Sequence, residues 1–218
     1  PIKHKKTHPV DELPASLEDA VMVFYLGTAI RLLRNQGRTK PASMLVNVSR
    51  FKDVQAKFAE LIEQFSLSLN GLILAELARD ASGPTSAFAT RFQELWRTEY
   101  SGRDYAENWE NIVPWLRTVA TTIRVELVNS DTATARAKRR RAMTADQRTF
   151  EDARPTVFVG GDVLARGLTL DGLQVSYFVR EPRTMDTLTQ MGRWFGYRPG
   201  YDDLVKIWIP EATEADFV

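Results

Sequence analysis

The apolar positions along the chain change period several times, and those changes predict its elements. Leu17, Val21, Phe24 and Thr28 recur at helical spacing behind Ser16, with Glu18 and Asp19 in the first turn. That pattern predicts a helix from Ser16 to about Asn35. Residues 1–15 are polar, with three lysines and three prolines, and read as a linker arm. Ser43-Met-Leu-Val-Asn-Val48 is an apolar run of strand length. A helical stretch follows from about Lys52, with Val54, Phe58, Leu61, Ile62 and Phe65 on one face, so the pair opens a βα unit. Residues 66–121 read as helical, with stripes at Phe88, Phe92, Leu95, Trp96 and at Trp109, Ile112, Val113, Leu116. The aromatics in these stripes are expected in helix–helix packing.

From residue 123 the period becomes that of strands. Runs at 123–128, 156–159, 174–179 and 204–209 alternate with one basic helix at about 132–152 and another helix at about 184–193. Strands alternating with helices predict an α/β protein with a parallel sheet and helices on both faces. The expected organisation is a linker at 1–15, an α/β unit from 16–65 and 122–218, and a helical insertion at 66–121.

Composition narrows the function. Lys and Arg number 29 and Asp and Glu 28, for a net charge of +1, with 44% hydrophobic residues. This is ordinary for a globular domain and unlike a polybasic protein. With no cysteine and only two histidines, both in the polar arm, thiolate chemistry and a His relay are excluded. No apolar run reaches the roughly 18–20 residues of a membrane span. A soluble, cytoplasmic protein without a membrane partner is therefore expected. The chain begins with Pro1, and we read it as a piece of something longer. Charge is uneven: residues 132–155 hold seven basic residues against three acidic ones. In a protein acting on DNA, Arg136, Arg139 and Arg140 on this helix are candidate phosphate contacts, sequence-independent and salt-sensitive.

Two segments carry candidate chemistry. In Val157-Phe-Val-Gly-Gly-Asp-Val-Leu-Ala-Arg-Gly-Leu168, a buried strand runs into paired glycines, an Asp and an Arg-Gly step. Glycines at a strand end let backbone approach a phosphate closely. In Leu188-Thr-Gln-Met-Gly-Arg-Trp-Phe-Gly-Tyr-Arg-Pro-Gly200, Gln190, Arg193 and Arg198 surround a glycine-punctuated helix end. Arginine in such a place can stabilise a transferring phosphoryl group.

In this order the two segments resemble motifs V and VI of the second RecA-like domain of superfamily-two helicases and translocases. Asp162, Arg166 and Gly167 match motif V, with Gly161 in its usual Thr position, and Gly192-Arg193 matches the core of motif VI. Met44 to Arg50 is similar to motif IV. The long strings around both motifs resemble more narrowly the Z1 domain. That domain follows a DEAD-type ATPase domain in helicase-like subunits of bacterial ATP-dependent restriction endonucleases.

The resemblance implies a RecA-like sheet and the carboxyl-terminal motor half of a DNA-dependent ATPase or translocase. It implies Arg193, and second to it Arg198, as the arginine finger, with Asp162, Arg166 and Gln190 at the nucleotide. Ser49, Arg50, Gly160 and Gly161 would face double-stranded DNA, with the basic helix as a further contributor. The implied cofactors are ATP and Mg, held mainly by a separate amino-terminal domain, and the implied partners are that domain and a nuclease subunit. Two departures stand out: Gln190 is one residue too close to Gly192, and Gly196 holds the last motif VI Arg position.

No Gly-x-x-x-x-Gly-Lys-Ser/Thr loop occurs, so the chain alone does not build a complete ATPase site. Two other classes compete. A nuclease would draw on Asp202-Asp-Leu-Val-Lys206, whose Asp-to-Lys spacing is wrong by one, or on His4-Lys-Lys6 in the arm. A nuclease-associated interaction or DNA-binding module without a motor role would use the helical insertion for docking.

Overall fold

The computed structural model describes residues 11–49, 51–76, 86–101, 107–161, 164, 170–178 and 200–209. Its elements are α1 (Ala15–Arg34), β1 (Ser43–Asn47), α2 (Lys52–Glu76), α3 (Ala87–Glu99), α4 (Trp109–Thr122), β2 (Arg124–Val128), α5 (Ser130–Ala142), α6 (Ala145–Ala153), β3 (Thr156–Gly160), β4 (Leu173–Phe178) and β5 (Lys206–Trp208). The five strands form one sheet in the order β2-β3-β1-β4-β5. Every neighbouring pair is parallel, so all carboxyl ends lie on one edge. This is an α/β architecture of RecA-like type, and each expected strand is present within two residues of its expected ends.

Alternation along the strands sorts side chains to two faces. Met44, Val46, Val157, Val159, Val175 and Tyr177 share a core with α1 and α2, whereas Leu45, Val128, Phe158 and Phe178 form a second cluster on the other face. Between Ser43 and Met44 the pairing with β4 slips by one residue, leaving Gln174 as an extra residue. Its side chain turns to α1, where its Oε1 accepts from Thr28 Oγ1 at 3.0 Å.

Helix α1 is buried on every side from Ala20 to Leu32, unlike a surface helix with one apolar stripe. The reason is the insertion: α3 and α4 lie over the back of α1 while its front meets the sheet. Arg91 of α3 pairs with Glu18 and Asp19, and Tyr100 donates to the carbonyl of Val23 at 3.2 Å. Arg34 then clamps the end of α1, donating to Glu107 at 2.6 Å and to both carboxylate oxygens of Asp203 at 2.8 and 2.7 Å. The boundary expected at residue 66 falls inside α2, which runs unbroken through 25 residues.

The single basic helix expected at 132–152 is two helices. Thr144 Oγ1 accepts from the Gln147 amide at 3.2 Å, and Gln147 Oε1 accepts from the Thr144 amide at 2.9 Å. This capping box starts α6 and turns the chain at Met143. The helix expected at 184–193 lies outside the described residues.

Two helix-interior glycines differ in their reasons. A Cβ at Gly27 would stand 2.9 Å from the Tyr100 hydroxyl, so close helix packing requires glycine there. At Gly71 on α2 a Cβ would meet nothing within 4 Å. Gly71→Ala is therefore expected to stabilise the fold by about 0.5–1 kcal/mol, the difference in helix propensity. A urea melt showing no gain would mean that the position is used in some other way.

Candidate functional site

The order of the strands fixes where a ligand crevice lies. From β1 the chain crosses to β2 at one end of the sheet, passing β3; from β3 it crosses to β4 in the opposite direction, passing β1. The carboxyl ends of β1 and β3, adjacent in the sheet, are thus a topological switch point, where open α/β sheets bind ligands. Ser49, Gly160 and Gly161 all sit there. Three other residues of the expected nucleotide and DNA groups, Arg50, Asp162 and Arg166, follow these strand ends in sequence but lie outside the described residues. Gln190, Arg193 and Arg198 lie outside them too.

At this edge the two strand ends are bound tightly to each other. The Val48 amide donates to the Gly160 carbonyl at 3.1 Å, and the Leu164 amide to that of Gly161 at 3.0 Å. Gln55, on the first turn of α2, donates its Nε2 to the Ser49 carbonyl at 2.6 Å, while Ser49 Oγ accepts from the Phe51 amide at 3.2 Å. A Cβ on Gly161 would lie 2.3 Å from the Ser49 carbonyl oxygen and 2.6 Å from Gln55 Nε2. One on Gly160 would lie 2.3 Å from the Val128 carbonyl oxygen. Protein backbone thus fills the space the two glycines leave open. Their first use is to bring β1, β2 and β3 together at the edge.

Two residues of this edge are absent from the expected set. Asn47, the last residue of β1, and Gln55 are about 5% and 4% exposed, yet Asn47 Oδ1 and Gln55 Oε1 have no hydrogen-bond partner among the described residues. A buried unpaired acceptor carries a desolvation penalty of about 1–3 kcal/mol, so these two oxygens are places for a donor. The signal in the sequence was one polar residue inside the apolar run 43–48.

Arg136, Arg139 and Arg140 are not part of this cluster. Asn129 caps α5 at the carboxyl edge, accepting from the Asp131 and Thr132 amides, and the helix runs back across the sheet. Eleven residues at about 1.5 Å each carry it roughly 16 Å, the length of a five-residue strand. Arg136 and Arg140 thereby line the amino edge with Ser43, Thr156 and Asp171. Each of the three arginines has a carboxylate: Arg136 Nε meets Glu126 at 2.6 Å, Arg139 meets Glu151 at 3.1 Å, and Arg140 binds Asp152 through two contacts. Arg124, which starts β2, also pairs with Glu151 and donates to Thr156 Oγ1 at 2.9 Å. Each of the three candidate arginines is thereby paired, although Arg139 shares Glu151 with Arg124. On α5, Lys138 and Arg141 have no carboxylate partner among the described residues.

The Arg140 hydrogen bond holds the Asp152 carboxyl below its ordinary pKa, against a smaller opposing effect of burial. A depressed carboxylate contributes stability above its unfolded pKa, near 3.9, and loses it as pH falls through the folded value. Both side chains are well exposed, so the contribution is at most about 1 kcal/mol. Arg140→Ala is expected to lower stability slightly at pH 7 and to cost progressively less as pH falls below about 4. An equal loss at pH 7 and at pH 3 would show that the pair acts through packing instead.

The Asp202–Lys206 segment, the nearest approach to a nuclease centre, is engaged in the fold: Asp203 pairs with Arg34, and Lys206 pairs with Glu99 at 2.7 Å. Among the described residues no three Asp, Glu or His side chains converge as a metal site. No described helix is long and apolar enough to cross a membrane.

An all-parallel α/β sheet with glycine-bearing strand ends meeting at its switch point defines the class as a RecA-like unit. A family model for the Z1 domain matches residues 16–218, and the chain belongs to that family. No curated protein and no solved structure matches the chain.

Proposed function

We propose that this Z1 domain is the carboxyl-terminal half of a DNA-dependent ATPase or translocase serving a restriction endonuclease. The observation that carries the reading is the meeting of the β1 and β3 ends at the switch point. The Ser49-Arg50 and Gly160-Gly161-Asp162 segments, which resemble motifs IV and V, follow from those two ends. In this reading the domain closes one wall of a nucleotide cleft, while a separate amino-terminal domain holds ATP and Mg through its own phosphate loop. Arg193 supplies charge to the transferring phosphoryl group, with Arg198 as second choice; Gln190, Asp162 and Arg166 line the same cleft. Ser49, Arg50, Gly160 and Gly161 form part of the track for double-stranded DNA, and a nuclease subunit is the partner that cuts.

The pairing of Arg136, Arg139 and Arg140 with carboxylates lowers their weight as DNA contacts in this proposal. On α5, Lys138 and Arg141 are the better candidates. The deciding measurement is DNA-stimulated ATP hydrolysis by the full-length protein with single substitutions at Arg193 and Arg198. Normal turnover in both variants would reject the motor role.

A further inference from the structure

At the amino edge of the sheet, between the ends of α1, α4 and α6, lies a cleft of roughly 200 Å³. Leu32, Ala42, Ala153 and Pro155 make its apolar wall, and Phe150, 69% exposed, stands at its rim. Arg31, Arg38, Lys40 and Arg154 line it as well, and no carboxylate does among the described residues. The neighbouring depression on the same edge differs: there Glu151, Asp152 and Asp171 accompany the arginines.

Arg31 makes the imbalance costly. It is only 7% exposed, and its described contacts are the carbonyl oxygens of Pro41 at 2.9 Å and Gly172 at 3.4 Å, with the Tyr201 ring 4.0 Å away. None is an anion, although buried charges are ordinarily paired with one. Burial accordingly pulls its pKa below the ordinary arginine value. The macrodipole of α1 favours cations in its last turn, which accounts for Arg31 and Arg34. It does not account for Arg38 and Lys40, which lie beyond the helix in the loop leading to β1. Arg154 spends only its Nε, on the Thr122 carbonyl at 3.2 Å.

We propose that this cleft is a binding site for a small organic anion with an apolar body of one or two rings. The body would sit against Leu32, Pro155 and Phe150, and its carboxylate, sulfonate or phosphate ester would meet Arg38 and Lys40. A dry cavity of about 150 Å³ is known to hold benzene, so the space suits such a body. The site lies a sheet's length from Ser49 and Gly161 and is independent of the motor reading.

Two fluorescent probes with nearly the same two-ring body test it: naphthalene-2-sulfonate, which carries the anion, and 2-methylnaphthalene, which lacks it. The wild-type protein should bind the sulfonate at one site, more tightly than the neutral probe and more weakly as salt rises. Arg38→Glu with Lys40→Glu, both exposed positions, should weaken the sulfonate at least tenfold and leave the neutral probe unchanged. Phe150→Ser should weaken both. Failure of the sulfonate to bind, equal binding of the two probes, or sulfonate binding indifferent to the charge reversal would each overturn the proposal.

Discussion

Under the proposed motor function, Arg193→Ala in the full-length protein is expected to reduce DNA-stimulated ATP hydrolysis by about 10³-fold or more, the loss typical when an arginine finger is removed. DNA binding without nucleotide should stay near normal, because the finger acts on phosphoryl charge and not on the DNA backbone. Arg193 takes precedence over Arg198 because Gly192-Arg193 is the part of the segment that aligns with motif VI without a shift. Gln190 and Arg193 are three residues apart, on one face if the segment is helical, which suits joint contact with a nucleotide held by the other domain. β4 ends at Phe178 on the same edge as Ser49 and Gly161, so the chain toward Gln190 and Arg193 sets out from the edge that carries the switch point. Near-normal turnover in Arg193→Ala with loss in Arg198→Ala would move the finger five residues downstream, to Arg198 between Gly196 and Pro199. A kinetic split is informative too: a fall in kcat with little change in KM marks a group acting on the transition state, whereas the reverse marks simple nucleotide binding.

The sheet was legible because β1 and β3 are short, buried apolar runs bounded by polar or glycine-bearing turns, while β2 shows the alternation of a half-buried strand. Its order was not legible, since no local pattern states that β1 sits between β3 and β4. The two helices at 130–153 could have been separated from sequence alone. Thr144-Ala-Asp-Gln147 has the spacing of a capping box, although the charge pattern runs on across it. Helix α1 misled for a different reason. Leu17, Val21 and Phe24 describe one stripe, yet Met22, Val23, Tyr25 and Leu26 are buried too: the Tyr25 hydroxyl donates to Asn70 of α2 at 2.9 Å, and α3 and α4 also pack on the helix. The arginines of α5 looked free because their carboxylates come from Glu126, Glu151 and Asp152, ten to twelve residues away in sequence and on other elements. At the carboxyl edge, Gly160 and Gly161 were visible as a strand-end pair. Their use in packing against Val128 and Ser49 was not, because it depends on which strands are neighbours.

The helices at 66–121 read from sequence as an insertion, and Phe92→Ala tests whether they fold as one unit with the sheet. Phe92 on α3 is fully buried and shares a core cluster with Phe24 of α1, Ile62 of α2, Leu116 of α4 and Val157 of β3. Its ring meets that of Phe88 edge-on at 5.4 Å. Truncating a buried Phe costs about 3–5 kcal/mol through lost transfer energy and the cavity left behind. A domain of this size has about 5–15 kcal/mol in hand, so the loss is at least about a fifth of the whole. Because the cluster spans α1, α2, α4 and the sheet, the expected result is one cooperative urea transition moved to lower denaturant with its slope kept. Circular dichroism and tryptophan fluorescence should move together, since Trp96, Trp109 and Trp115 lie in α3 and α4 while Trp208 lies in β5. If tryptophan fluorescence instead showed an early separate transition while the remaining ellipticity held, α3 and α4 would be an independent unit. The burial of α1 would then have to be maintained without them, which its apolar back at Met22, Val23 and Leu26 argues against: exposed to water, that face would carry a penalty of the same order as the one Phe92→Ala measures.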